Sequence, residues 1–279
     1  VKTLQDKVVV ITGAGSGIGR ALALEASRSG ALLALSDVNE AGLAETAELA
    51  TTAGSPEVRT DRLDVADRAA FAAYASAVAE HFGRVNVVIN NAGVALAGNF
   101  EEMSYEDFDW IVGINFWGVV HGTKEFLPHL IASGDGHIVN ISSLFGLLSI
   151  PGQSAYNATK YAVRGFSEAL REEMLISKHP VGVTVVHPGG IKTEIARNAR
   201  VTESEDKDAT AKVFDKLATM GPDKAAKIIL KGVRKNQARV LVGLDAHALH
   251  AFAKFSGSRY QDIVALSSKQ MLKATKKKP

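Results

Sequence analysis

The chain contains no cysteine. That excludes disulfides, thiolate nucleophiles and cysteine-held metals, and it fits a reducing compartment. No stretch of eighteen apolar residues occurs either, so a membrane-spanning helix is not expected. Charge of one sign is missing as well: 32 basic residues are interspersed with 30 acidic ones, for a net charge of +2. Such a balance provides no basic field of nucleic-acid size. The one charge run is Lys276, Lys277 and Lys278. No internal repeat or low-complexity linker breaks the chain, and the first apolar run starts within a few residues of its beginning, leaving no room for a signal peptide. The expectation is a soluble, cytoplasmic protein without a nucleic-acid partner.

What is present is enough apolar sequence, 46% of 279 residues, to bury a full core. Residues 7–12 (KVVVIT) form a short β-branched run that ends at glycines, the pattern of a strand buried on both faces. Comparable runs occupy residues 31–36, 57–63, 85–89, 138–141, 181–187 and 239–242. Between them, residues 40–52, 67–82 and 105–132 carry apolar side chains at helical spacing. Strands alternating with helices of this length predict an α/β fold. It is a Rossmann-type doubly wound parallel sheet of about seven strands with helices on both faces.

The first strand runs into GAGSGIG, residues 13–19, and then into a helix. In that setting backbone N–H groups and the helix dipole can cradle a pyrophosphate. A ligand-free glycine turn is the competing reading. Gly13, Gly17 and Gly19 give G-x-x-x-G-x-G, because Ile18 and Arg20 stand where the commoner dinucleotide spacing needs glycine. No Gly-Lys-Ser/Thr follows, which excludes a P-loop. Asp37 ends the second strand, and a carboxylate there can accept hydrogen bonds from both adenosine ribose hydroxyls. It would also repel a 2′-phosphate, and Ser16 and Val38 offer no compensating cation. The cofactor expected is NAD rather than NADP. Alternatively, Asp37 caps the helix after Asn39.

Residues 137–160 (HIVNISSLFGLLSIPGQSAYNATK) organise the rest. A buried strand reaches Ser142 and Ser143, a loop with Pro151 and Gly152 follows, and a helix starts near Ser154. Tyr156 and Lys160 lie four apart on it and share a face. A free phenol has a pKa of about 10, and a nearby ammonium would lower it towards the range of acid/base catalysis. Ser143 could polarise a carbonyl by hydrogen bonding. Asn115, among Ile111, Ile114, Phe116 and Trp117, has either a structural or a catalytic role. A hydrolase is disfavoured, since no G-x-S-x-G elbow exists.

Taken together, TGAGSGIG (12–19), NNAG (90–93), Asn115, Ser143, YNATK (156–160) and PGGIKT (188–193) resemble the short-chain dehydrogenase/reductase family, over residues 7 to about 243. The resemblance implies that Tyr156 is the acid/base while hydride moves at nicotinamide C4. Lys160 would bind the nicotinamide ribose and lower the Tyr156 pKa. Ser143, thirteen residues before the tyrosine, would orient the substrate carbonyl, and Asn115 would anchor a relay water. The cofactor set it implies begins with Gly13, Ser16, Gly17, Ile18 and Gly19 at the pyrophosphate, with Asp37 and Val38 at the adenosine ribose. Asp64 and Val65 would meet adenine, Asn91, Ala92 and Gly93 the ribose path, and Pro188, Gly189, Ile191 and Thr193 the carboxamide end. Thr159 replaces the more usual serine beside Lys160. The family also leads us to expect a homotetramer or homodimer, packed through the long helices bearing Asn115 and Tyr156.

Val94, Ala95, Leu96, Leu144, Phe145, Gly190 and Ile195 are expected to line the substrate pocket, whose apolar character suits a lipophilic secondary alcohol or ketone. Residues 1–244 read as one dinucleotide-binding catalytic domain. Within it, the polar segment 194–220 is either a substrate lid or a plain surface insertion. Residues 245–279 read as a helical extension with a basic tail. Its apolar residues (Ala248, Leu249, Phe252, Phe255, Tyr260, Ile263, Val264, Met271, Leu272) would pack on the domain or a neighbouring subunit, or else touch a membrane surface. No metal is expected, because His247 and His250 lack a third ligand. The function expected is an NAD-dependent oxidoreductase acting on a small-molecule alcohol/carbonyl pair. The alternative is a non-enzymatic NAD-binding sensor or scaffold.

Overall fold

Each buried β-branched run becomes a strand, and each amphipathic run between them a helix on one face of the sheet. The structure, a computed structural model, describes residues 1–275, with side chains to residue 269 and at Thr275. The lysine run at 276–278 and the side chains of Met271 and Leu272 lie outside the described residues. In chain order the first half comprises β1 (Val8–Thr12), α1 (Gly17–Ser27), β2 (Leu32–Asp37), α2 (Glu40–Thr52), β3 (Val58–Arg62), α3 (Arg68–Phe82) and β4 (Val87–Asn90). There follow β5 (Leu96–Ala97), α4 (Tyr105–Val112), a π-turn (Gly113–Trp117), α5 (Gly118–Ala132) and β6 (Gly136–Ile141). A short 3₁₀ turn (Leu144–Gly146) leads to α6 (Ser154–Ile176), β7 (Val181–Pro188), β8 (Arg200–Val201), α7 (Lys207–Leu217), α8 (Pro222–Arg234) and β9 (Arg239–Val242). Two helices, α9 (Leu244–Ser256) and α10 (Tyr260–Thr275), complete the chain described.

Seven strands form one parallel sheet in the order β3-β2-β1-β4-β6-β7-β9. Successive residues of a strand face opposite sides, so β1 feeds two cores. Val9 and Ile11 pack with Leu33, Leu35, Leu22 and the α8 residues Ile229 and Val233. Val10 packs with Val88, Ile138, Phe71, Phe126 and Leu130. The strand order reverses between β1 and β4, and a crevice opens there at the carboxyl ends of the strands, where ligands of open parallel sheets bind. Beneath it, Asn90 Nδ2 donates to Asn140 Oδ1 at 2.8 Å, and Asn140 Nδ2 donates to Ser167 Oγ at 2.9 Å. This buried polar ladder ties β4, β6 and α6 together.

Two features depart from the sequence reading. The helix expected over 105–132 is interrupted by the π-turn, which inserts a residue into the helical ladder between two glycines and brings Asn115 inward, fully buried. The second is a separate two-stranded sheet, β5 with β8. Strands of two residues carry no periodicity, so this sheet has no signature in the amino-acid pattern. That sheet fastens the 194–220 segment: Arg200 N–H donates to Ala95 O and Thr202 N–H to Ala97 O, both at 3.0 Å. Arg200 also stacks over the Trp110 ring at 4.0 Å and pairs with Asp107 at 3.1 Å. The far end of the segment is held where Lys192 N–H donates to Met220 O.

Phe126 is fully buried, edge-on to Phe71 and Tyr74. Phe126→Ala should cost about 3–5 kcal/mol of stability, read as a lowered denaturation midpoint with an unchanged slope. A loss below about 1 kcal/mol would show that this aromatic cluster is not the centre of the second core.

Candidate active site

The glycine loop is shaped by close approach. Gly13 has φ +64°, and a Cβ there would sit 2.8 Å from the Ala92 backbone. A Cβ on Gly19 would strike the Gly13 carbonyl. Asn91 holds the arrangement, its Nδ2 donating to the carbonyls of Thr12 and Gly13, each at 3.0 Å. Thr12 Oγ1 accepts the N–H groups of Asn91 and Ala92 at 3.1 Å. The loops after β1 and β4 are thus one unit. Ser16 occupies the N-cap of α1, but its side chain makes no capping hydrogen bond. No side chain of Ser16 caps the first N–H groups of that helix, and the helix dipole favours an anion at such an end. Thr193 approaches from the opposite wall, its Cγ2 3.1 Å from where a Gly17 Cβ would stand.

Asp37 lies at the end of β2, beside this loop. Its Oδ2 accepts the Gly15 N–H at 2.8 Å and its Oδ1 the Asn39 N–H at 2.9 Å. The cap of α2 is Asn39, whose Oδ1 accepts the Gly42 N–H at 3.1 Å. Asp37 is therefore not the helix cap, and each of its oxygens keeps acceptor capacity. Arg20 is engaged by Glu45 at 2.7 Å and by the Gly15 carbonyl at 2.7 Å, and Arg62, the register partner of Asp37, by Glu40 at 3.4 Å. Val38 is exposed, Asp64 Oδ1 accepts the Ala66 N–H at 3.0 Å, and Val65 is buried with its carbonyl on His121 at 3.0 Å.

At the centre of the crevice α6 brings Tyr156 and Lys160 against the end of β6. Lys160 is 3% exposed, and its ammonium donates to the Ile141 carbonyl at 3.1 Å, 5.6 Å from the Tyr156 ring centre. Burial lowers its pKa to about 8. The two neighbouring serines separate by role. Ser142 Oγ donates to the Lys160 carbonyl at 2.8 Å and so fixes helix to strand. Ser143 Oγ accepts the Phe145 N–H at 3.1 Å and lies near enough to the Tyr156 phenol to act on its pKa. One sequence expectation needs correction: Tyr156 is not made more acidic by its lysine neighbour. Burial pushes the phenol above its ordinary value, partly offset by the Ser143 hydrogen bond. The ammonium points to a backbone carbonyl, and both groups lose water together.

Asn115 Oδ1 accepts the Val94 N–H at 2.8 Å, and its Nδ2 donates to the Val94 carbonyl at 2.9 Å. Its side chain pins the loop after β4, a structural task at the edge of the site. A Cβ at Gly93 would lie 3.2 Å from Asn115 Oδ1 and 3.4 Å from Lys160 Nζ, so Gly93 keeps the space between them open. The expected pocket lining is only partly met. Leu96 packs with Ile111 and Ala155, and Leu144 packs with Leu148 and Ala246, both as core. Val94 packs on the cluster beside Tyr156, and the Phe145 ring meets Tyr156 edge-on at 6.2 Å.

Two residues escaped the sequence reading. Asp245, in the first turn of α9, accepts the Gly190 N–H at 2.6 Å, and a Cβ on Gly189 would strike the same carboxylate. The C-terminal helices thereby hold the Pro188–Gly189–Gly190 loop. His187, fully buried, bonds through Nδ1 to the Ser143 carbonyl at 2.8 Å. A carbonyl only accepts, so Nδ1 carries the proton. Neither residue belongs to a recognisable motif; each is identified by a partner far away in sequence.

A model of the short chain dehydrogenase family matches residues 7–204. The chain belongs to the short-chain dehydrogenase/reductase family. SadH of Mycobacterium tuberculosis (strain ATCC 25618 / H37Rv) is 59% identical over 266 residues, covering 95% of this chain and 96% of that one. Dehydrogenase/reductase SDR family member 7B of Bos taurus is 36% identical over 246 residues, covering 86% of this chain and 74% of its own. A short-chain dehydrogenase/reductase from Burkholderia phymatum, solved in complex with NAD, superposes with TM-score 0.86 at 31% identity, covering 94% of this chain and 97% of that one. The family consists of oxidoreductases, and the seven-stranded Rossmann-type sheet agrees with it. Among the described residues no helix is long and apolar enough to cross a membrane.

Burial lowers the pKa of His187 to about 4 and that of His137 to about 3. Both are neutral in the fold, whereas unfolded histidines protonate near pH 6.5. Below that pH the unfolded chain binds more protons, so stability is complete above about pH 6.5 and declines as pH falls towards 4. Denaturation midpoints measured from pH 7.5 to 4.5 should show this decline, reduced in His187→Asn. An equal decline in that variant would mean that His187 does not contribute.

Proposed function

We propose that this protein is an NAD-dependent dehydrogenase/reductase that interconverts a lipophilic secondary alcohol and its ketone, with Tyr156 as the acid/base. The observation that carries the reading is the Tyr156 phenol with the Ser143 hydroxyl acting on its pKa and the Lys160 ammonium 5.6 Å from its ring centre, at the carboxyl ends of the strands. A non-enzymatic dinucleotide sensor would have no use for a buried phenol linked to a serine and flanked by an amine.

The residues present suit a dinucleotide. The uncapped N-terminus of α1 offers Gly17, Ile18 and Gly19 N–H groups to a pyrophosphate. Asp37 offers acceptors to ribose hydroxyls and negative charge against a 2′-phosphate, which supports NAD over NADP. Asn91, Ala92 and Gly93 flank the glycine loop, and Pro188, Gly189, Ile191 and Thr193 form the opposite wall. When bound, the nicotinamide supplies or accepts the hydride.

The chain's own groups handle the oxygen. The Ser143 hydroxyl, presented at the end of β6, holds and polarises the substrate oxygen. Tyr156, protonated at neutral pH because burial raises its pKa, can donate to the oxygen of a ketone. Lys160, its pKa lowered by burial to about 8, still carries its charge at pH 7 and stands beside the Tyr156 ring, placed to hold the ribose hydroxyls of the nicotinamide. Phe145 and Val94 beside Tyr156 favour an apolar substituent on the reacting carbon. Trp117 at the end of the π-turn and Leu175 and Ile176 at the end of α6 are exposed and suit subunit packing in a homodimer or homotetramer.

Tyr156→Phe should lower turnover of an aliphatic or steroid-like ketone by at least roughly 10²–10⁴-fold, followed by absorbance of the reduced cofactor, with NAD affinity within a few-fold of wild type. Unchanged turnover would reject the acid/base role. Asp37→Ala should weaken NAD and relax the preference towards NADP in calorimetry. A wild-type protein that already binds NADP more tightly would overturn the ribose assignment.

A further inference from the structure

A second cavity, of about 430 Å³, lies between α6, β9 and the α9–α10 connection. None of the residues assigned above to the dinucleotide lines it, and it stands independently of the proposed reaction. Leu147 and Ala253 supply its apolar wall, while Arg164, Arg239, His250 and Lys254 supply the rest of its chemistry. Arg164 Nε donates to Glu168 Oε1 at 3.1 Å, and Arg239 Nη2 donates to the same oxygen. One carboxylate thus sets two guanidiniums side by side. Lys254 adds a third cation and joins no ion pair among the described residues. Three cations against a single carboxylate leave two positive charges unbalanced around one opening.

The same excess acts on His250. Burial and the nearby Arg239, Arg164, Lys254 and His247 hold its imidazole below the usual histidine range, and no acidic group opposes them. Like charges held this close repel, and the repulsion is relieved when an anion enters.

We propose that this cavity binds a phosphate group, carried by a small organic phosphate or present as the free ion. Guanidinium forks match phosphate oxygens in geometry, and a phosphate monoester's charge of roughly −1.5 to −2 at neutral pH matches the unbalanced charge. The volume exceeds that of a phosphate alone, leaving room for a small uncharged remainder against Leu147 and Ala253. The position links the site to the crevice. Leu147 directly follows the turn that begins at Ser143, and His187, which holds the Ser143 carbonyl, lies in the field of Arg239, Arg164 and Glu168.

The test uses calorimetry and histidine NMR on the full chain, titrated with sodium phosphate or glycerol phosphate against sodium chloride at matched ionic strength. Saturable single-site binding is expected, with the His250 titration moving to higher pH as phosphate is added. Lys254→Glu, at an exposed position without an ion pair, should retain the fold and weaken binding at least tenfold; Arg164→Gln should do the same. Tighter binding of glycerol phosphate than of phosphate would identify an organic phosphate as the occupant, and the reverse order the free ion. No saturable binding beyond the chloride control would overturn the proposal. So would binding unchanged in both variants, which would place the anion elsewhere, for instance at the uncapped end of α1.

Discussion

A charged amine withdrawn from water has to be held by something, and Lys160 is held by a single strand end. Its ammonium is buried, donates to the Ile141 carbonyl, and is displaced towards neutrality without reaching it at pH 7. Desolvation of this kind is tolerated only where geometry is fixed from several sides. Ser142 supplies one such constraint by bonding the Lys160 backbone, and Gly146 another, since a Cβ there would come 2.7 Å from the Lys160 carbonyl. Helix α6 therefore cannot slide along β6 without exposing or orphaning the amine. Tyr156, one turn earlier, inherits that register, and so does its contact with Ser143.

The same logic explains why the walls of the crevice are made of loops tied in pairs. Thr12, Gly13, Asn91 and Ala92 lock the loops after β1 and β4. Asn115 locks the loop after β4 to the π-turn, and that turn exists because an extra residue must be accommodated to aim the amide inward. Asp245 locks the loop after β7 to α9. Each tie satisfies backbone groups that would otherwise be unpaired at the ends of buried strands. Rigidity of the site is a consequence of completing the hydrogen bonding of the sheet.

Much of this was legible in the sequence, for identifiable reasons. The central strands are apolar runs, and Val8 to Ile11 illustrate why such runs read cleanly, whereas the edge strand β3 (VRTDR) is identified by its place between helices. Tyr156 and Lys160 sit on one regular helix, where spacing alone gives a shared face. What spacing cannot give is the environment. The pKa of Tyr156 depends on how much water its ring loses, and that is decided by Phe145, Val94 and Ala155, not by the lysine four residues away. Leu96 and Leu144 were assigned to the pocket from their nearness in sequence to site residues. Both turn instead into cores, because Ile111 of α4 and Ala155 of α6 pack on Leu96 and Ala246 of α9 packs on Leu144. Asp37 carried a competing reading as a helix cap, and Asn39 occupies that position instead.

The C-terminal helices follow from this as part of the support of the crevice. Ala246 packs on Leu144 and Leu148, Tyr260 accepts the Ser149 N–H at 3.1 Å, and Asp245 reaches the Gly190 amide. Helix α10 also meets the 194–220 segment where Asp206 N–H donates to the Thr275 carbonyl at 2.8 Å. The turn bearing Ser143, the loop after β7 and the 194–220 segment all rest on one helical pair. A displacement of α9 would be felt by both walls of the site at once. The basic cavity beneath α9 is placed where an occupant would bear on that pair, because its cations come from α6, β9 and α9 together.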